Sequence, residues 1–111
     1  MSNVYVVQQN VKKNQDGFMV PRFDLSKAYE FGSVKIILPH GANPIHSANE
    51  IKERLKENLK AYEDDDYIIP VGNPTVIGWA IHYAATYNDG LVKTLQWNGR
   101  TNEYEVIKVI L

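Results

Sequence analysis

Three short polar segments of this chain could do chemistry if folding brought them together. Gly72-Asn73-Pro74-Thr75 follows an apolar run and opens an apolar helical pattern. The first turn of a helix carries unpaired backbone N–H groups at the positive end of its dipole, so such a turn can hold a phosphate or another anion. Pro74 removes one of those donors. The segment is neither GxxxxGK[ST] nor GxGxxG, and it contains no lysine. His40 lies among Pro39, Gly41, Asn43 and Pro44, and is the candidate acid/base or ligand-contacting side chain. Gln8, with Gln9 and Asn10, closes an apolar run near the N-terminus. The expected ligand-binding set is therefore Gly72, Asn73, Thr75, His40 and Gln8, with His40 the single catalytic candidate. A Gly-Asn-Pro turn also serves simply to start a helix, with Asn73 as N-cap and Pro74 at N1, and that plainer reading is favoured.

The other candidate clusters have bland explanations that weigh more. His40 and His46 lack a third metal ligand, so no metal is expected. His82 falls inside an apolar helix and reads as a partly buried packing residue. Asp64-Asp65-Asp66 lacks the spacing of a calcium loop and reads as solvated. Trp79, Tyr83 and Tyr87 recur at i, i+4 and i+8, a core stripe or else a self-association face in which Gly78 and the alanines allow close approach. Trp97, Arg100 and Tyr104 fit a hairpin cross-strand cluster, or else a platform on which bases stack.

Local patterns predict the elements that would place these residues. Val4–Val7, Val34–Leu38, Tyr67–Val71, Leu91–Trp97 and Tyr104–Leu111 read as strands, being rich in β-branched and aromatic residues. Residues 11–22 have loop composition. Asp24 can cap a short helix over Leu25–Phe31 that stops at Gly32. Ser47 and Glu50 fit a capping box before a helix whose apolar stripe is Ile51, Leu55, Leu59 and Tyr62. A third helix runs from Pro74 to Tyr87 and ends at Asn88-Asp89-Gly90. Asn98-Gly99 favours a tight type I′ hairpin that sets Trp97 opposite Arg100, while a looser loop through Asn102 would change the register.

The order is β-α-β-α-β-α-β-β. It implies an α/β fold: one compact domain over residues 1–111, with a central, mostly parallel five-stranded sheet, an antiparallel C-terminal hairpin strand and about three helices. In such a sheet ligands sit at the carboxyl ends of the strands, so Gln8–Asn10, His40–Asn43 and Gly72–Thr75 are expected to be neighbours.

Twelve basic residues face thirteen acidic ones for a net charge of −1, which makes duplex DNA an unlikely partner. There is no cysteine, so disulfides and thiolate chemistry are excluded. Neither a signal peptide nor a membrane span is evident, and a soluble cytoplasmic protein is expected.

Residues 66–78, DYIIPVGNPTVIG, then Ala80, Ala84-Ala85, Asn88, Gly90 and Leu95-x-Trp97, resemble small α/β proteins of no assigned activity encoded by tailed phages and by environmental phage-like sequences. Many of those have Asp where this chain has Asn73, and both residues cap helices. The resemblance implies an accessory protein acting in the cytoplasm of an infected host cell. No nucleophile paired with a base can be named. The expectation is a non-enzymatic interaction protein, a homodimer, without a cofactor. The alternatives are a binder or hydrolase of a nucleotide or other phosphate-bearing small molecule, and a single-stranded nucleic-acid binder.

Overall fold

Burial on both faces of the first strand organises the molecule. In β1 (Asn3–Gln8), Tyr5 and Val7 face one side of the sheet while Val4 and Val6 face the other, and all four are buried. A strand buried on both faces needs a layer on each. The computed structural model describes residues 2–22 and 24–111. Its main sheet contains β1, β4 (Ser33–Leu38), β5 (Tyr67–Ile69), β6 (Leu91–Asn98) and β7 (Glu103–Ile110), after a small hairpin of β2 (Val11–Lys13) and β3 (Met19–Pro21). The order is β4-β1-β5-β6-β7, parallel except for β7.

Helices α1 (Pro44–Leu59) and α2 (Pro74–Tyr87) cover the face of Tyr5, Val7, Ile68 and Val92. Ile51, Leu55 and Leu59 of α1 and Val76, Ala80 and Ala84 of α2 supply the contacts. The opposite face holds Val4, Val6, Ile69 and Leu95, packed with Ala28, Leu25, Phe31 and Tyr104. The chain steps from β1 to β4 over this second face, then returns past β1 to β5 and on to β6 over the helical face. Opposite directions on opposite faces keep all three crossovers of one hand, as strand twist requires.

Four expectations need correction. There are two α-helices among the described residues, not about three, because Ser26–Glu30 forms a 3-10 helix. Five residues that bury only Ala28 have too little apolar face to sustain α-turns. Asp24 still accepts the Ser26 N–H, at 2.9 Å. α1 begins at Pro44 under an Asn43 cap, and Ser47 falls at a kink with φ −137° and ψ 36°. Pro44 at N1 favours the earlier start. Part of the expected loop at 11–22 pairs as β2–β3, held at its tip by the Asn14 side chain, which accepts from Asp16 and Phe18 N–H. Strands of three residues are too short to leave a period in the sequence. The strand expected over Tyr67–Val71, β5, ends at Ile69 because Pro70 cannot donate to a ladder.

The last hairpin takes the looser of its two possible loops. Asn98 pairs with Glu103 across Gly99–Asn102, and Asn102 takes φ +56°. Trp97 therefore faces Tyr104 instead of Arg100.

Tyr62 joins the α1 end to the sheet: its hydroxyl accepts the Lys93 N–H at 3.0 Å and donates to the Asp66 carbonyl at 3.2 Å. Burial first, and the Asp66 carboxylate among smaller causes, raise the pKa of this phenol; Tyr5 is raised the same way, mainly by burial. A folded pKa above the unfolded value means stability that is full below about pH 10 and lost as pH rises through the folded values. Chemical unfolding midpoints are therefore expected to hold from pH 8 to about 9.5 and fall above pH 10, and less steeply in Tyr62→Phe. Equal slopes in the two proteins would reject this assignment.

Candidate functional site

Gln8 ends β1 with its side chain almost fully buried, at 6% exposure. Its amide donates to the Ala42 carbonyl at 3.0 Å and the Pro39 carbonyl at 3.3 Å, and its carbonyl accepts the Asn73 N–H at 2.9 Å. One side chain thus ties together the carboxyl ends of β1, β4 and β5, at the point where successive crossovers diverge. Gly72 meets it in the left-handed region, with φ +122°. A Cβ there would lie 2.5 Å from the Gln8 Cβ, so glycine is what allows the approach.

The three polar segments do come together. Gln8–Asn10, His40–Asn43, Gly72 and Asn73 line one open depression of about 270 Å³. Thr75 does not line it; its N–H is taken by the Asn73 side chain at 2.9 Å as the α2 cap. The Asn73 N–H is committed to Gln8. His40 is exposed, and its Nδ1 accepts the Val11 N–H at 3.2 Å. That bond assigns the proton of the neutral ring to Nε2, which leaves a donor at the outer atom.

The remaining clusters separate. His46 is exposed on the first turn of α1, and no group of three potential metal ligands forms among the described residues. His82 is exposed, not a partly buried packing residue, because it lies about 160° round α2 from the Val76–Ala80–Ala84 face. It contributes instead to a groove of about 330 Å³ with Trp79, Tyr83 and Lys52 between the two helices. Trp79 and Tyr83 are half-buried; Tyr87 is exposed and stacks on Tyr83 at 6.3 Å. Asp66 is buried and structural, unlike exposed Asp64 and Asp65.

A second cleft lies at the carboxyl edge on the opposite face of the sheet, built from residues too far apart in the chain for sequence to unite. It has a volume of about 490 Å³, and its walls include Pro70 and Val71 after β5, Gln96 and Trp97 at the end of β6, and Tyr104 at the start of β7. Arg22 and Asp24, which follow β3, close its rim. Tyr104 and Trp97 meet in a T-shaped contact, with centroids 5.0 Å apart and planes at 72°, while Trp97 remains 44% exposed. Burial first and then the Asp24 carboxylate raise the Tyr104 phenol. Only Trp97 and Tyr104 were legible as a pair. Arg22 and Asp24 stand far off in sequence, and the loop bearing Arg22 is held by its N–H to the Asn10 carbonyl at 2.7 Å. Arg100, expected beside Trp97, lies in the hairpin loop.

Comparison with known families returns one described as Phage Pam3 gp32-like protein, matching residues 2–111. The chain belongs to this family. Both carboxyl-edge clefts and both exposed edges of the sheet fall inside the region matched to the gp32-like family, whose phage origin agrees with the resemblance carried by residues 66–97. No curated protein and no solved structure matches the chain. No helix among the described residues is long and apolar enough to cross a membrane.

Proposed function

We propose that this gp32-like protein is a phage accessory protein of the host cytoplasm that acts by binding, without turnover, and works as a homodimer. The observation that carries the reading is the uncovered flank beside β7. The β6–β7 connection is a hairpin, so among the described residues no third helix covers this end of the helical face. Ile107 and Val109 of β7 consequently stay 44% and 43% exposed on that face. The helical repeat sets Ile77 and Ile81 on the side of α2 away from Trp79 and Tyr83, which line the groove with α1, and so toward this same flank.

Such a strip on a small domain calls for a cover. A second copy is the occupant whose chemistry matches, because the strip is uncharged except for Glu103 and Glu105 at one end. A two-fold axis can lay it on itself in antiparallel fashion, with the acidic ends apart. Exposed Gly78 and half-buried Ala85 leave room for close helix approach.

Sedimentation at micromolar concentration is expected to give twice the 12.7 kDa chain mass, and Ile107→Lys to return it to the chain mass with its circular dichroism unchanged. A monomeric wild-type protein overturns the homodimer.

A further inference from the structure

We infer that the cleft between the ends of β5 and β6 binds a nucleotide, with its base against Trp97 and its phosphate at Arg22. The inference goes beyond the proposed self-association and does not rest on it, since the cleft opens on the other face of the sheet.

Three features of the cleft fit the three parts of a nucleotide. The base needs a flat apolar surface. Tyr104 braces Trp97 in a T-shaped contact at 5.0 Å, and Trp97 stays 44% exposed. Every base has a π-face, so stacking on an indole is favourable for any of them. The phosphate needs a cation at the mouth. Arg22 lines the cleft, its backbone is anchored to Asn10, and the two ion pairs formed among the described residues lie on α1 and its C-cap and do not involve it. The guanidinium is therefore available for a two-pronged bond to phosphate oxygens. The base edge and sugar hydroxyls need polar partners. Asp24, whose Oδ1 accepts the Ser26 N–H at 2.9 Å, brings a carboxylate acceptor to the lining.

The volume, about 490 Å³, lies within the range of small-molecule sites. The placement, outside the carboxyl ends of parallel strands, is where open α/β sheets bind ligands. A neighbouring cleft of about 520 Å³ shares Arg22 and Asp24 and reaches Tyr29, which is 66% exposed. A strand entering the first cleft can continue past the arginine onto this second aromatic ring. The nucleotide can thus arrive free or as one unit of a single strand.

The test uses the full chain with Trp79→Phe, so that Trp97 alone reports. Its fluorescence is titrated with adenosine 5′-monophosphate, with a six-nucleotide oligodeoxyadenylate and with inorganic phosphate, and backbone amide NMR shifts at Gln96 and Trp97 are followed in parallel. Saturable quenching with localised shifts is expected for the first two ligands and none for phosphate alone. Arg22→Ala, a substitution on the exposed rim, is expected to weaken nucleotide binding about tenfold. An oligonucleotide that binds at least about tenfold tighter than the mononucleotide identifies a strand as the source; equal affinities identify the free nucleotide. No quenching and no shift with either nucleotide up to millimolar concentration overturns the inference, as does binding that Arg22→Ala leaves unchanged.

Discussion

Gly72→Ala is expected to destabilise the protein by about 4 kcal/mol. Two costs add. The residue sits at φ +122°, where a side chain brings strain of about 1–3 kcal/mol. The new Cβ would also stand 2.5 Å from the Gln8 Cβ and 2.7 Å from its Oε1, against an ordinary carbon–carbon separation of about 3.5–4.0 Å. Rotating the Gln8 side chain cannot relieve the first contact, because a Cβ is fixed by its backbone. β1 and the turn after β5 must move apart, and the bonds from Gln8 to Asn73, Pro39 and Ala42 loosen together. Overpacking of this kind costs about 1–3 kcal/mol more. Against a total stability of about 5–15 kcal/mol, thermal unfolding by circular dichroism should show a midpoint lower by roughly 15 °C or more. A shift of only a few degrees would mean that the turn is far more pliant than its geometry implies.

Asp66→Ala should cost about 3 kcal/mol. This carboxylate is 1% exposed and works at the end of the sheet away from both clefts. Its Oδ1 accepts the Asn3 N–H at 2.8 Å and its Oδ2 the Glu63 N–H at 3.0 Å, which ties the start of β1 to the turn between α1 and β5. Hydrogen bonds to a charged acceptor contribute about 1.5–3 kcal/mol each, and partial rehydration of the freed donors keeps the sum below the full total. Asp66→Asn keeps one acceptor oxygen and should lose about half as much. Urea unfolding at neutral pH, with an unchanged m-value, checks both. If Asp66→Ala lies within 1 kcal/mol of the parent protein, the carboxylate is not the fastener described.

How much of the site was legible depends on how far apart its parts stand along the chain. The strand–turn–helix at Tyr67–Thr75 carries its signals within a few residues: an apolar run, a glycine, a cap and a proline. The α2 cap accordingly forms as expected, and Gln8, His40 and Asn73 meet because each ends or follows a strand of one parallel sheet. What the turn's N–H groups do was not legible. Asn73 N–H bonds a side chain 65 residues away, and nothing local in Gln8 announces that bond. Asp66 likewise reads in sequence as solvated with its acidic neighbours, since its partner Asn3 lies 63 residues off.

The sequence by itself determined the alternation of strands and helices, the five-stranded α/β sheet, the phage resemblance and the exclusion of cysteine chemistry. These follow from short-range periodicity, capping and composition, which the folded context reinforces. Tertiary structure alone decided that Gly72 yields to Gln8 and that Asp66 is buried. It also decided that Ser26–Glu30 stays a 3-10 turn, and that Arg22 and Asp24 close a cleft over Trp97. Each of those outcomes depends on contacts between distant segments. Their energies come from burial and hydrogen bonding that no single stretch of chain contains.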